Sequence, residues 1–97
     1  MDKDTGTGKA GTAGAAEAPE EVVRRARGFI ALYDVDGYAE AVPLLRELIE
    51  RVPDHAPAYA ALAEAYAYWG FRREIDGQES QSLYDMALEN AELAAKL

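Results

Sequence analysis

The side chains best suited to chemistry are few in this sequence, and they are not arranged as a catalytic set. The chain has one histidine, His55, and no cysteine, whereas hydrolytic or transfer chemistry needs a nucleophile, a base and an orienting group in one pocket. Asp54 precedes His55, but neighbouring side chains at a helix start point in different directions, so the pair is interpreted as a helix cap. We expect no catalytic residues and no enzymatic activity.

Two short segments are similar to ligand-binding loops but lack a required residue. Residues 6–9 read Gly-Thr-Gly-Lys, yet a phosphate-binding loop needs serine or threonine after the lysine, where Ala10 stands. A calcium loop that began at Asp34 would need glutamate at its twelfth position, where Leu45 stands. We therefore expect no cofactor and no metal ion.

The composition excludes several classes of partner. Eighteen acidic and ten basic residues give a formal net charge of −8, and a chain this negative repels phosphate backbones and anionic lipid. Neither nucleic acid nor a membrane is therefore expected as a partner. No apolar run approaches the roughly 20 residues that cross a bilayer, and the N-terminus lacks the apolar core of a secretory signal. We expect a soluble, cytoplasmic protein.

The chain divides into a tail and a helical domain. Residues 1–18 contain nothing larger than lysine after Met1, so no apolar burial would offset the entropy lost on ordering them. We predict a disordered tail over 1–18 and one domain over 19–97. Apolar residues recur there at helical spacing and no run alternates like a strand, which predicts an all-α fold. The amphipathic segments are 22–33, 38–52, 59–66 and 84–95.

Glycine and proline residues place the ends of these helices. The turn-forming residues of 34–37 are predicted to separate the first two helices. Pro43 lies inside the second pattern, so it either kinks that helix or marks a later start. Gly70 is a natural terminator for the third helix. Residues 71–79 have no clean period and are predicted to form a loop.

The two halves of the domain match each other at an offset of about 34 residues, with Val22 and Ala56 in the first positions. The pattern resembles the tetratricopeptide repeat, in which two antiparallel helices form each unit. The segment 36–41 is similar to the Gly-x-Tyr-x-Glu-Ala turn of that family. The matching residues are Leu32, Ala41, Leu45, Leu48 and Pro53 in the first unit and Tyr59, Leu62, Ala63, Tyr66 and Gly70 in the second.

The resemblance implies two stacked antiparallel helix hairpins, a fragment of a right-handed solenoid, with units over 19–53 and 54–97. Phe29 departs from the pattern where the family has a small residue, and the neighbouring Gly28 is expected to compensate. The second unit fits only if about twelve residues are inserted between its helices, so the predicted loop 71–79 is interpreted as that insertion. An ordinary four-helix bundle remains the alternative architecture.

The resemblance also implies a function. In this family the first helices of successive units line a concave groove that holds a peptide or protein segment. The groove would be mainly apolar here, with some acidic character, which favours an apolar peptide that carries a basic group. Trp69 would either form an exposed hot spot or cover the loop. The residues that the resemblance places in the groove are Val23, Ala26, Ile30, Tyr33, Ala60, Glu64, Ala67 and Tyr68.

A second interpretation is structural. One helix pair cannot bury its own apolar face, and about three repeats or a capping helix are usually needed. With two units, the fourth helix is expected to leave an apolar edge uncovered. That edge would be covered by the continuation of a longer repeat array, by a second copy in a homodimer, or by the loop 71–79. On this interpretation the chain is a self-associating unit rather than a binding module.

Overall fold

The computed structural model describes residues 17–97 as four helices. These are α1 (Pro19–Ile30), α2 (Val35–Arg51), α3 (Ala56–Ile75) and α4 (Gln81–Lys96). No strand occurs over 17–97, which confirms the predicted all-α fold. The predicted disordered tail lies outside the described residues except at its end, where Glu17 and Ala18 lead into α1 and the Glu17 carboxylate pairs with Arg25 at 2.6 Å.

The third helix is the element on which the other three pack. Each helix contacts the next along the chain, and α1 also contacts α3. Alanines make up three of the five core residues of α3, and small side chains let neighbouring helices approach closely. Leu45 and Leu48 of α2 are fully buried in this core. The buried core residues are Val22, Val23, Ala26, Ile30, Tyr38, Ala41, Val42, Leu45, Leu48, Ala58, Ala61, Leu62, Ala65 and Tyr66.

The junction between α1 and α2 depends on a cap and a glycine. The Gly37 N–H donates to the Asp34 carboxylate at 2.7 Å, so Asp34 is the N-cap of α2. A Cβ on Gly37 would overlap the carbonyl oxygen of Phe29 at the end of α1. The sequence predicted that residues 34–37 separate the first two helices. The second helix nevertheless begins at Val35, inside this segment, because the Asp34 cap allows it to start there.

Pro43 lies inside α2, which is continuous from Val35. Of the two alternatives for Pro43, a kink or a later helix start, the later start is therefore wrong. Proline removes one backbone N–H and leaves the carbonyl four residues earlier without its helical partner. Pro43 and Ala39 are both exposed, so water can bind the carbonyl that proline leaves unpaired.

The third helix is longer than the sequence indicated. It continues through Gly70 and residues 71–75 to Ile75, and the chain turns at Gly77, whose φ is +73°. The loop predicted over 71–79 is therefore wrong in its first five residues, and Gly70 is not a terminator. Gly70 is buried, and a Cβ there would lie 2.9 Å from the ring of Tyr84, so glycine allows α4 to approach.

The start of α4 is capped by Glu79. Its carboxylate accepts hydrogen bonds from the Ser82 N–H at 2.9 Å and from the Ser82 hydroxyl at 3.0 Å. These bonds hold the pKa of Glu79 below its usual range, because they favour the charged carboxylate. The cap therefore contributes stability above the ordinary glutamate pKa, and that contribution is lost as the pH falls through the lowered pKa of the folded state.

Helix α3 begins without a side-chain cap. His55 occupies its N-cap position, and its side chain makes no capping hydrogen bond. The prediction that the Asp54–His55 pair supplies a cap is therefore not realised at His55. Pro57 in the first turn of α3 has no N–H to satisfy, so this helix start has one fewer backbone donor that needs a cap.

A pair of glycine substitutions tests the α1–α2 junction. Gly37→Ala should lower the free energy of unfolding by about 2 kcal/mol or more, because the new Cβ meets a backbone oxygen that cannot move aside without shifting a helix. Gly28→Ala should raise it by up to about 1 kcal/mol, since nothing lies within 4 Å of that Cβ. Urea denaturation measures both. Equal effects at the two positions would contradict the junction described here.

Candidate functional site: an aromatic pocket

A pocket of about 320 Å³ opens where the α1–α2 junction meets the second half of α3. Two tyrosines of the junction form one side of it, and one face of α3 forms the other. The residues of α3 follow one another at helical spacing, so they present a single apolar stripe. The pocket is lined by Tyr33, Tyr38, Tyr68, Phe71, Arg72 and Ile75.

Tyr38 joins the two sides of the aromatic pocket. It is only 3% exposed, and its ring centroid lies 6.3 Å from that of Tyr68 and 6.4 Å from that of Trp69. The Asp34 cap and the close approach at Gly37 fix the turn of α2 that carries Tyr38. Trp69 is half-buried against the core, so of the two alternatives for Trp69, an exposed hot spot or a cover for the loop, the first is wrong in its exposure.

Tyr33 projects into the aromatic pocket from a strained backbone. Its φ is +53°, a conformation that costs a residue with a Cβ roughly 1–2 kcal/mol relative to the right-handed helix. Its ring meets that of Tyr68 edge to face, with centroids 5.3 Å apart and planes at 81°. The aromatic contact favours this position of the ring, while most of the Tyr33 side chain stays exposed.

The polar groups of the aromatic pocket are hydroxyls and one guanidinium. The Arg72 Nε donates to the Asp76 carboxylate at 3.1 Å. The pKa of Tyr68 is raised by electrostatic interaction with Tyr33 and then with Glu64. The pKa of Tyr38 is raised by burial and then by Asp34. The phenols therefore stay neutral at physiological pH, and the surroundings disfavour additional negative charge.

The groove predicted along the first helix is closed. Val23, Ala26 and Ile30 are buried in the core, so the prediction that they line an open groove is wrong. The reason is that α1 packs on both α2 and α3 and turns these residues towards them. Gly28 has no atom within 4 Å of a Cβ position, so it does not compensate for the large Phe29.

Most of the groove residues that were predicted between 54 and 97 lie outside the aromatic pocket. Ala60 is exposed and Ala67 is half-buried, and neither lines the aromatic pocket. Glu64 accepts from Arg27 of α1 at 2.6 Å, so its carboxylate links two helices. Of the residues predicted to line the groove, only Tyr33 and Tyr68 line the aromatic pocket.

Sequence reasoning missed Tyr38, Phe71, Arg72 and Ile75. Tyr38 was read as the first apolar residue of the second helix, and the other three fell in the predicted loop. A signal for them was present, because positions 68, 71, 72 and 75 have the i, i+3, i+4, i+7 spacing of one helix face. If this spacing had been interpreted as one helix face, the predicted third helix would have included these residues and placed them on one side of a pocket.

A second cavity of about 280 Å³ lies between α2, α3 and α4. The Arg46 guanidinium donates to the Tyr66 hydroxyl at 3.0 Å across it. The Tyr59 hydroxyl donates to the Pro53 carbonyl at 2.7 Å. Arg46, Glu50 and Glu89 bring charges of both signs to its wall, so this cavity is less apolar in character than the aromatic pocket.

Neither metal-ligand geometry nor similarity to known proteins indicates another functional site in the described residues. Over 17–97 no three histidine or carboxylate side chains come together as a metal site. Within the same residues, every helix is too short or too polar to traverse a bilayer. Comparisons with protein-family models, with curated proteins and with solved structures give no match for this chain.

The strain at Tyr33 can be measured with two substitutions that both remove the ring. Tyr33→Gly should be more stable than Tyr33→Ala by about 1 kcal/mol, because alanine keeps a Cβ in the left-handed region and glycine does not. Denaturant unfolding at equilibrium provides the comparison. If the alanine variant is as stable as the glycine variant, the backbone at Tyr33 is not strained.

Proposed function

We propose that this protein is an interaction module that binds a protein segment by taking an apolar side chain into the aromatic pocket. The observation that carries the proposal is the exposure of three large apolar residues around one cavity. Tyr33, Phe71 and Ile75 are 62%, 59% and 63% exposed. A contiguous apolar patch with a concave centre is typical of a binding site, whereas scattered single residues are not.

The construction of the aromatic pocket favours binding because its walls are set in advance. Tyr38 is buried and Tyr68 is half-buried, so the partner does not have to order them. Aromatic side chains in such positions are typical interaction hot spots. Burial of one large apolar side chain contributes about 1.5–3 kcal/mol, so a partner segment must also contact the surface around the pocket to bind tightly.

Two stacked hairpins of the tetratricopeptide kind are the architecture that we propose for this module. Three contacts support this arrangement: α1 packs on α2, α3 packs on α4, and α1 packs on α3. The binding surface then lies at one end of the first helices rather than along them, because Val23, Ala26 and Ile30 are buried. A binding module of this kind needs no catalytic group.

Self-association is the second candidate function. The observation that favours it is a set of exposed leucines along α4 and at its C-terminal end, namely Leu88, Leu93 and Leu97. Leu88 lies near the middle of α4 and is 62% exposed, the same fraction as Tyr33. A second copy that packed against α4 would cover it, and the protein would then dimerise as its concentration rises.

Substitutions of equal exposure distinguish the two candidates. Peptides are selected from a display library of random twelve-residue sequences against the wild-type protein, and their affinities are measured for two variants. Phe71→Ala should weaken binding about tenfold or more, because an aromatic hot spot is lost from the pocket. Leu88→Ala, which changes a similarly exposed residue on α4, should leave the affinity within about twofold.

Circular dichroism confirms that both variants are folded, and sedimentation velocity at several concentrations reports their association. Peptides that bind equally well to Phe71→Ala and to the wild type would contradict the proposed binding function. A concentration-dependent dimer that Leu88→Ala abolishes would support self-association through α4.

A further inference from the structure

The charged groups around the aromatic pocket are largely paired with each other. The Arg72 guanidinium pairs with Asp76 at 3.1 Å, and the Arg27 guanidinium pairs with Glu64 at 2.6 Å. Each pair is close to neutral when it is viewed from a few ångströms away. Asp34 is different, because its carboxylate accepts the backbone N–H of Gly37, and this hydrogen bond leaves its negative charge in place.

The carboxylates near the aromatic pocket help to raise the pKa of Tyr38 and of Tyr68, as a negative potential would. Burial is the main cause of the raised pKa of Tyr38, and the negative charge of Asp34 adds to it, while the Arg72 guanidinium acts in the opposite direction. Glu64 raises the pKa of Tyr68 even though it is paired with Arg27. The whole chain adds a long-range field of the same sign, since its formal net charge is −8.

The aromatic rings add a local attraction for cations. The face of an aromatic ring carries partial negative charge, and an ammonium or guanidinium within about 6 Å of the centroid is stabilised by it. Tyr33 is the ring best placed to do this, because it stands at the rim of the pocket and is 62% exposed. Asp34 follows Tyr33 in sequence and is exposed, and its negative charge contributes to the raised pKa of Tyr38 in the same pocket.

We propose that the segment bound by the aromatic pocket is basic: an apolar side chain occupies the pocket, and a neighbouring lysine or arginine places its charge over the ring of Tyr33 and beside Asp34. This inference rests on the proposed binding function and names the chemistry of the partner. An acidic segment that approached Arg72 would meet the Asp76 carboxylate, which already pairs with the Arg72 Nε. It would also approach a protein of the same sign.

The peptides selected from the random twelve-residue library test this proposal directly. Sequences that bind the wild type and lose affinity for Phe71→Ala should carry lysine or arginine within about two positions of a large apolar residue. Their binding should weaken as sodium chloride is raised from about 0.05 M to about 0.5 M, because the interaction with an exposed charge is screened.

A matched pair of variants then locates the charge. Asp34→Asn removes one negative charge but keeps a good N-cap for α2, and it should weaken the selected peptides roughly two- to fivefold. Asp85→Asn removes the same charge from the exposed surface of α4, and it should leave their affinity within about 1.5-fold. Thermal unfolding verifies that both variants remain folded.

The outcomes separate this proposal from the one on which it rests. Peptides that need Phe71 but have neutral or acidic neighbours would overturn the basic partner and leave the binding function intact. Equal effects of Asp34→Asn and Asp85→Asn would also overturn the basic partner, because the attraction would then be long-range only. A selection that yields no Phe71-dependent peptide would overturn the binding function, and the basic partner with it.

Discussion

The contact of Tyr38 with Tyr68 and Trp69 is the interaction on which the rest of this structure depends. It connects the start of α2 to the second half of α3, which carries most of the aromatic pocket. Two features of the junction place Tyr38 correctly: the Asp34 cap fixes the first turn of α2, and Gly37 lets that turn touch the end of α1. Tyr33 meets the same ring of Tyr68 from the junction, but Tyr38 is the buried member of that side of the aromatic pocket.

The third helix has two halves with different physical roles. Its first half contributes small buried residues such as Ala58, Ala61 and Ala65, which allow close helix packing and support the core. Its second half turns exposed Phe71 and Ile75 to solvent, an arrangement that hydrophobic burial alone does not favour. Exposed apolar residues and backbone strain at one place are the features on which the proposed binding site is based.

The sequence predicted the fold class and most of the helical segments, but it missed most of the residues that form the aromatic pocket. The all-α fold followed from the apolar periodicity of residues such as Leu45 and Leu48, because a buried face leaves a regular pattern. The last turns of α3 escaped notice because Phe71 and Ile75 do not pack in the core, and a glycine precedes them. The role of Gly70 could not be deduced either, since a glycine that ends a helix and one that admits a neighbouring ring look alike in sequence.

A double-mutant cycle between Tyr38 and Tyr68 tests most directly whether the first hairpin is fastened to α3 through these rings. Tyr38→Leu and Tyr68→Leu are made singly and together, and the free energy of unfolding of each protein is measured in urea. We expect a coupling free energy of about 0.5–1.5 kcal/mol, as found for aromatic pairs in contact. Effects that simply add, within about 0.3 kcal/mol, would mean that the two rings do not hold the hairpin and α3 together.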